Sequence, residues 1–490
     1  MSTTPEFEQV PQSPSLLPRA LALFGSIALV LGLLFAPHTL GATINSAANA
    51  APALIPANWI LGVLPFAGLL LCIAVLPLIP ATAHWWHSNL HRYIVSLAAA
   101  ALALTYLGLA QGGNAIGDAL HHAIPSEFVP FICLLFTLYV IAGGLRIETP
   151  FDGRPRENLS ILTLGALLAS VIGTTGAAML LIRPLLESIR GRRSRAHSVV
   201  FFIFIVCNCG GCLLPIGDPP LFMGYLRGVP FGWTLTLWKE WLIVNGLLLF
   251  AYALVDSFLF RRETREIQRA DAHRRFHLEG GVNIPLLALA IAAVALVVPG
   301  KVIVGTSFVA PEFLREGILL ALCGVSWMLT PTPVRQANRF EFGAIIEVAA
   351  IFLGIFISMQ LPLAVLSAKG AQLGLTSPYA FYWITGALSS FLDNAPTYVV
   401  FFEVAKTLPL IPGEETIAVT NGVIRTDLLT AISLGAVFMG ANTYIGNGPN
   451  FMVKAIAESE GVPMPSFFGY MAWSVGILVP LLAVAELVFP

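Results

Sequence analysis

The sequence predicts an all-α polytopic membrane protein with about eleven transmembrane helices and two re-entrant hairpins arranged as an inverted repeat. The first observation is composition: 57% of the 490 residues are hydrophobic and 11% are charged, whereas a soluble domain has about 25% charged residues. The second is a series of long apolar runs, and the third is a glycine- and proline-containing motif that occurs twice within them. A lipid bilayer is therefore the expected surrounding, and the net charge of −1 gives no reason to expect nucleic acid.

Apolar runs of about 20 residues mark candidate membrane spans. They lie at about 19–37, 57–80, 93–111, 128–145, 198–226, 235–260, 283–300, 313–330, 343–361, 427–453 and 466–489. Residues 1–17 are polar and are expected to form a disordered cytoplasmic tail, and 18–55 would contain an extra first span and a periplasmic loop. Cleavage of this span as a signal peptide is the alternative, because Ala48-Asn49-Ala50 resembles a cleavage site.

Two further segments, 157–190 and 378–408, are apolar but interrupted near their centres. Arginines flank the first segment on both sides: Arg146, Arg154 and Arg156 before it, and Arg190, Arg192, Arg193 and Arg195 after it. Lys and Arg favour the cytoplasmic side, so a segment with both ends there must turn back within the membrane. Its predicted tip is Gly173-Thr174-Thr175-Gly176, because glycine allows the chain to reverse.

The flanks of the second segment contain few Lys and Arg, which predicts a hairpin entered from the outside. The expected organisation is a first repeat over 56–260 with an inward-opening hairpin, a basic cytoplasmic linker over 261–281, and a second repeat over 282–490 with an outward-opening hairpin. The N-terminus would be cytoplasmic and the C-terminus periplasmic, in the cell inner membrane.

The repeated motif begins at Gly211 and again at Gly440. The strings GCLLPIGDPPLFM and GANTYIGNGPNFM are identical at six of thirteen positions. Membrane helices interrupted at corresponding places in two halves are a common way for secondary transporters to build a substrate site. The motif therefore predicts a transport site formed by both copies.

Two aspartates are the first candidates for that site. Asp393 lies at the centre of the second hairpin, where a charged side chain costs about 3 kcal/mol on insertion scales and usually has a function. Asn394 is expected to cap the helix that resumes at Pro396, with Thr397 just after it. A shallow hairpin would instead make Asp393 a surface cap. Asp218 precedes two prolines, so it could be a helix cap, an ion ligand or both.

Oxygen-bearing side chains in the broken spans are further candidates, because hard cations such as sodium are held by oxygen ligands. Neutral amides and hydroxyls supply such ligands without adding another buried charge. This set contains Asn208, Asn442, Thr443, Asn447 and Asn450.

Glu347 is a candidate proton relay, or an ion-pair partner for a buried arginine. The candidate arginine is Arg183, which would otherwise extend its charged end to the cytoplasm. An interfacial acid is the alternative interpretation of Glu347. No cofactor and no metal beyond transported Na⁺ are expected, because the Cys207–Cys212 cluster matches no zinc spacing; its cysteines are interpreted as small packing residues.

Four strings resemble those of the citrate-transport and NhaD-type sodium/proton antiporter families of the ion transporter superfamily. They are GTTGAAMLLIRP at 173–184, GGCLLPIGDPPLF at 210–222, IEVA at 346–349 and LDNAP at 392–396. The resemblance implies an eleven-span homodimer in which hairpin tips and broken spans bind ions and substrate. Carried over residue by residue, this adds Gly173, Thr174, Thr175 and Gly217 to the candidates above.

The dicarboxylate symporters of that superfamily tend to have Ser-Asn-Thr at both hairpin tips, and this chain does not. The preferred prediction is therefore a sodium/proton antiporter in which the two ions compete for buried carboxylates. A cation-coupled symporter of citrate or another carboxylate is the alternative, since helix N-termini also bind anions. No catalytic or phosphate-binding motif suggests an enzyme, and paired hairpins fit alternating gates better than a channel.

Overall fold

The computed structural model describes residues 55–86, 88–264, 276–303 and 305–487. The predicted cytoplasmic tail, the first span with its possible cleavage site, and most of the basic linker lie outside the described residues.

Helices account for most of the described chain. Before the linker they are α1 (Trp59–Val75), α2 (Pro80–Trp86), α3 (Asn89–Gln111), α4 (Gly113–His121), α5 (Val129–Ala142), α6 (Pro155–Ile172), α7 (Thr174–Ser188), α8 (Ala196–Ile205), α9 (Pro219–Leu226) and α10 (Trp238–Phe260). A π-helical segment at His122–Phe128 joins α4 to α5, and 3₁₀ turns occupy Cys209–Cys212 and Phe231–Leu237.

A second series of helices follows the linker. They are α11 (Asn283–Leu296), α12 (Leu314–Leu329), α13 (Thr332–Ala337), α14 (Gly343–Ser358), α15 (Gln360–Lys369), α16 (Pro378–Ser389), α17 (Asn394–Lys406), α18 (Thr426–Met439), α19 (Gly448–Ser459), α20 (Phe467–Trp473) and α21 (Val479–Glu486). Short turns lie at Gly370–Leu373 and Gly440–Asn442, and a π-helical segment at Ser474–Leu478 joins α20 to α21.

The all-α prediction needs one correction, because two small antiparallel sheets are present. β1 (Arg146–Glu148) pairs with β2 (His277–Glu279), and β3 (Thr416–Val419) pairs with β4 (Gly422–Arg425). The second pair turns at Thr420 and Asn421, and Asn421 has a φ of 57°. The dipeptide Asn421-Gly422 is a known hairpin signal, which a search for apolar runs does not detect.

Length and apolar composition identify four membrane-spanning candidates in the described residues: Asn89–Gln111, Gly113–Ala142, Phe231–Phe260 and Phe467–Glu486. Two bent pairs, Trp59–Val75 with Pro80–Trp86 and Gly343–Ser358 with Gln360–Leu373, raise this number to six. The chain is thus a largely helical membrane protein. The predicted number of eleven spans also includes the run at 19–37, which lies outside the described residues, together with shorter and broken helices.

Two helical hairpins and two broken helices form the centre of the fold. We call α6–α7 the first hairpin and α16–α17 the second; α8–α9 is the first broken helix and α18–α19 the second. Each broken helix packs against the hairpin that is farther away in the sequence. The helix α9 contacts α17, the second arm of the second hairpin, and α19 contacts α7, the second arm of the first hairpin. Every residue of α8 after Ala196 is buried, as expected for a helix that is apolar on most sides.

Candidate functional site

Each broken helix is interrupted by a tight turn that only glycine can form. A Cβ atom on Gly217 would lie 2.2 Å from the Gly211 carbonyl oxygen, and one on Gly446 would lie 2.5 Å from the Gly440 oxygen. Both distances are below any normal contact, so the two glycine pairs of the repeated motif allow the chain to fold back on itself. The helices resume at Pro219 and Gly448, which places Asp218 and Asn447 immediately before a helix N-terminus.

The first hairpin breaks within its predicted tip. Gly173 has a φ of 80°, a value that side chains other than glycine rarely tolerate. The break leaves the Thr174 amide free to donate to the Gly217 carbonyl oxygen at 2.8 Å. The tip of the first hairpin is thereby joined to the turn of the first broken helix.

Asp218 is fully enclosed and connects three elements. Its carboxylate accepts hydrogen bonds from Thr174 Oγ1 at 2.9 Å, from Asn394 Nδ2 at 2.7 Å and from Asn447 Nδ2 at 3.1 Å. These donors belong to the first hairpin, the second hairpin and the second broken helix. The side chain occupies the N-cap position of α9 but makes no cap hydrogen bond, so the interpretation of Asp218 as a simple cap is wrong.

Three asparagines link the two broken helices. Asn208 Nδ2 donates to the Ile203 oxygen at 2.9 Å and to Asn450 Oδ1 at 2.8 Å. Asn447 Nδ2 also approaches the Cys207 oxygen at 3.0 Å, and Asn450 Nδ2 donates to the Gly440 oxygen at 2.8 Å. Since these carbonyls lie where a helix has stopped, the amides satisfy backbone groups that would otherwise be buried without partners.

Asp393 lies at the break of the second hairpin and faces different surroundings. Its Oδ1 accepts from the Ala395 amide at 3.1 Å, so Asp393, rather than the predicted Asn394, caps α17. Asn394 is the first residue of the helix, and Pro396 follows in the same turn. Thr397 Oγ1 donates to the Asp393 carbonyl oxygen at 2.9 Å.

Asn394 connects the two aspartates. Its Nδ2 donates to Asp218 while its backbone follows Asp393 directly. Its Oδ1 is buried and has no hydrogen-bond partner among the described residues. The structure therefore brings Asp393 and Asp218 into one region and leaves an amide oxygen there with capacity to bind a ligand.

Asn442 and Thr443 contact the second hairpin just before its break. Asn442 Nδ2 donates to Ser390 Oγ at 2.9 Å, and Thr443 Oγ1 donates to the Ser390 carbonyl oxygen at 2.5 Å. The first half contains a similar contact, in which Ser170 Oγ donates to the Gly210 oxygen at 2.5 Å. These hydrogen bonds hold each hairpin against the broken helix of the same half.

A cavity of about 320 Å³ adjoins this region. Asp393, Thr175 and Asn447 contribute to its wall, and Arg92 and Glu347 line it from α3 and α14. A smaller cavity of about 60 Å³, lined by residues 172–176 and by Gly217, shares Thr175 with it. The aspartate of the second hairpin and the tip of the first therefore meet the same internal space.

The predicted ion pair between Glu347 and Arg183 is not formed. Glu347 instead lies 2.8 Å from the Arg92 guanidinium, which is buried. Arg183 donates to the Asn338 carbonyl oxygen at 3.0 Å and lines a separate cavity. Sequence analysis did not identify Arg92, because it directly precedes the apolar run 93–111, in the first turn of α3, where an arginine is usually interpreted as an interfacial residue.

The part of the chain that the structure describes contains no group of three or more His, Cys, Asp or Glu side chains placed to hold a metal ion. Cys207, Cys209 and Cys212 are buried free cysteines, in agreement with their interpretation as packing residues. The polar groups that converge here are carboxylates, amides and hydroxyls, a donor set suited to hard cations.

Comparison with known proteins defines the class of the molecule. A family model described as "Putative citrate transport" matches residues 56–490. An uncharacterised transporter of Mycobacterium tuberculosis is 27% identical over 361 residues, which cover 68% of this chain and 79% of that protein. A 46 kDa membrane protein of Mycobacterium leprae is 25% identical, and the aligned residues cover 72% of this chain and 84% of that protein.

An uncharacterised transporter of Synechocystis is 23% identical over 313 residues, covering 59% of this chain and 67% of that protein. The apolar helices and these similarities together define a membrane transporter. The chain belongs to this citrate transport family, whose model spans every residue after position 55.

Proposed function

We propose that this transporter is a sodium/proton antiporter in which Asp393 carries either Na⁺ or H⁺. The observation that supports this most is the position of Asp393, which lines the 320 Å³ cavity. The Ala395 amide is the one hydrogen-bond partner of its carboxylate among the described residues. The other lone pairs of the carboxylate can then bind a cation or a proton.

Asp218 has a different role in this proposal. Its carboxylate accepts from three neutral donors, a hydroxyl and two amides, which belong to both hairpins and to the second broken helix. Asp218 would therefore hold these three elements together around the site of Asp393. Asn394 Oδ1, which has no partner among the described residues, would be a further oxygen ligand for Na⁺.

Exchange follows from competition at one carboxylate. A bound cation favours the ionised carboxylate, and protonation removes the charge that attracts the cation. If Na⁺ and H⁺ cannot occupy the site together, movement of the loaded site between the two membrane faces exchanges one ion for the other. Such alternating access is the usual cycle of transporters with broken helices at their centre.

The proposed architecture is an inverted repeat whose first hairpin opens inward and whose second opens outward, in a homodimer of the inner membrane. The N-terminus would be cytoplasmic and the C-terminus periplasmic. Thr174 and Asn394 support the internal repeat in this proposal, because each follows a hairpin break and both donate to the Asp218 carboxylate. Corresponding positions of two halves that meet at one point are expected for such a repeat.

A cation-coupled symporter of citrate or a related carboxylate is the second candidate. The family description and the presence of Arg92 in the cavity wall favour it, because guanidinium groups bind carboxylates well. The pairing of Arg92 with Glu347 argues against it, since the arginine is already neutralised. Na⁺ and H⁺ would then be the coupling ions rather than the exchanged pair.

Purified protein in proteoliposomes distinguishes the two functions. A pH gradient is imposed, and its dissipation is followed after addition of Na⁺, Li⁺, K⁺ or citrate. Dissipation by Na⁺ in the absence of citrate supports antiport. Sodium-dependent uptake of radiolabelled citrate, with no proton flux driven by Na⁺ alone, would overturn antiport in favour of symport.

A further inference from the structure

A further cavity lies between the second hairpin and the helices α1 and α15. It has a volume of about 260 Å³ and separates α1 and α15 from the hairpin. Its lining comprises Trp59, Val63, Phe66, Ala67, Leu70, Pro362, Val365, Leu366, Leu388, Leu392, Pro396, Thr397, Val400 and Phe401. Apart from Thr397 and the indole N–H of Trp59, these side chains carry no polar group.

Such a cavity is suited to hydrocarbon. An apolar cavity of about 150 Å³ in a soluble protein already stays dry and binds benzene, and this one is larger. Leu388 in its wall is 42% exposed and Leu64 on α1 is 56% exposed, so the neighbouring surface is apolar as well. A lipid chain could enter from the bilayer without removing any charged group from water.

One end of the cavity has a positive charge. Lys369, at the end of α15, lies one helical turn beyond Val365, and its Nζ is 5.0 Å from the centre of the Trp59 ring. No carboxylate pairs with Lys369 within the described ranges, whereas Lys406 nearby lies 2.8 Å from Glu403. Tryptophan and lysine together are typical of the membrane interface, and anionic lipid head groups attract such lysines.

We propose that this cavity binds one anionic phospholipid, with an acyl chain between α1, α15 and the second hairpin and the head group at Lys369. The site is separate from the ion cavity and does not depend on which ion is transported. It is not a remote surface, however, because Pro396 and Thr397 belong to the helical turn that Asp393 caps. A lipid bound here would contact the back of the turn that holds that carboxylate.

Native mass spectrometry of the full-length protein tests the proposal. The protein is mixed with equal amounts of phosphatidylglycerol and phosphatidylcholine that have the same acyl chains, and the retained lipid is identified. The wild type should keep one lipid, predominantly phosphatidylglycerol. Ala67→Phe, which fills the cavity, should lose it. Ala98→Phe places the same ring on an exposed face of α3, away from the cavity, and should behave as wild type.

The variant Lys369→Gln tests binding of the head group separately from binding of the acyl chain, because the substitution leaves the cavity unchanged. It should retain a lipid but lose the preference for phosphatidylglycerol. Retention of the lipid by Ala67→Phe at the wild-type level would overturn the proposal, as would an unchanged head-group preference in Lys369→Gln. Size-exclusion profiles that match the wild type exclude misfolding as the cause of a loss.

A photo-crosslinking residue at Val63 distinguishes lipid from the protein's own chain. A benzophenone side chain there should form an adduct of lipid mass in membranes. An adduct with a peptide from residues 1–54 would show that a segment of this chain fills the cavity, and the lipid proposal would then be wrong.

Discussion

Asp218 and Asp393 are both aspartates that precede a helix, but their carboxylates have different partners. Asp218 accepts from three side chains of three elements, whereas Asp393 accepts from one backbone amide and faces a cavity. A carboxylate with most of its lone pairs used is suited to holding elements together. One that faces open space is suited to binding and releasing an ion.

Asp393→Asn should abolish sodium-dependent proton flux in proteoliposomes while leaving the protein folded. The amide has a similar shape and can still accept from the Ala395 amide, but it cannot exchange a proton for a cation. Asp118→Asn, which changes an exposed acid, is the matched control and should transport as wild type. Unchanged flux in Asp393→Asn would refute the proposed mechanism.

Thr174→Val should lower the melting temperature of the detergent-solubilised protein. The substitution keeps the shape but removes the hydroxyl that donates to the buried Asp218 side chain, and a buried polar group left without its hydrogen-bond partner costs about 1–3 kcal/mol. Thr105→Val removes an exposed hydroxyl bonded to the Ala101 oxygen and should have little effect. Equal melting temperatures for the two variants would contradict the role assigned to Thr174.

At the scale of elements, the two broken helices turn through the same kind of glycine contact but differ in the polar residue that follows it. Gly217 and Gly446 each pack against the carbonyl of a glycine six residues earlier. The residue that follows is Asp218 in one half and Asn447 in the other. The two turns are therefore alike in geometry. Because the second turn carries an asparagine instead of an aspartate, the broken helices contribute one acidic side chain to the site instead of two.

Gly217→Ala should reduce the yield of folded protein or abolish transport, because its Cβ would lie 2.2 Å from the Gly211 oxygen and 3.0 Å from Ser170 Cα. Backbone atoms cannot move aside without changing the turn that carries Asp218. Gly246→Ala in α10 is the control, since a Cβ there meets open space and alanine favours helix by about 1 kcal/mol. Wild-type transport by Gly217→Ala would show that the turn tolerates displacement.

At the scale of the whole molecule, helices distant in sequence complete the cavity. Arg92 on α3 and Glu347 on α14 form its other wall, opposite the hairpins and the broken helices. This pair is where the two candidate functions differ most, because an arginine that binds a carboxylate substrate is required for symport and not for antiport.

Arg92→Gln should leave sodium-dependent proton flux measurable if the protein is an antiporter, and should abolish citrate uptake if it is a symporter. Removing one member leaves Glu347 unpaired, and an uncompensated charge is destabilising. The double variant Arg92→Gln, Glu347→Gln therefore serves as the control for stability. Loss of sodium-dependent proton flux in the double variant, with normal folding, would mean that the pair takes part in antiport.

The orientation of the whole molecule can be checked by cysteine labelling with a membrane-impermeant maleimide. Gly191 follows the first hairpin and Glu415 follows the second, and both are exposed. In a background with Cys72→Ser, which removes the one half-buried native cysteine, Glu415→Cys should react in intact cells. Gly191→Cys should react only after permeabilisation. Labelling of both residues from the same side would refute the proposed opposite orientation of the hairpins.

The sequence by itself was sufficient for the features that depend on local pattern. Apolar runs predicted a helical membrane protein, and the glycines of the repeated motif located both helix breaks, because a sharp turn inside an apolar run has few alternatives. Asp218, Asp393, Asn394, Asn447 and Asn450 were all chosen from their place near a break. The pair Asn421-Gly422 is likewise a local signal, for the turn of the second small sheet.

The tertiary structure alone decided which of these side chains meet. Thr174, Asn394 and Asn447 are far apart in the chain, and their convergence on Asp218 depends on how two hairpins cross two broken helices. The same holds for Glu347, whose partner is Arg92 rather than Arg183. Spacing along a helix determines which face of the helix a residue occupies. Which helix packs against that face, and therefore which residue becomes the partner of a buried charge, is decided by the tertiary structure.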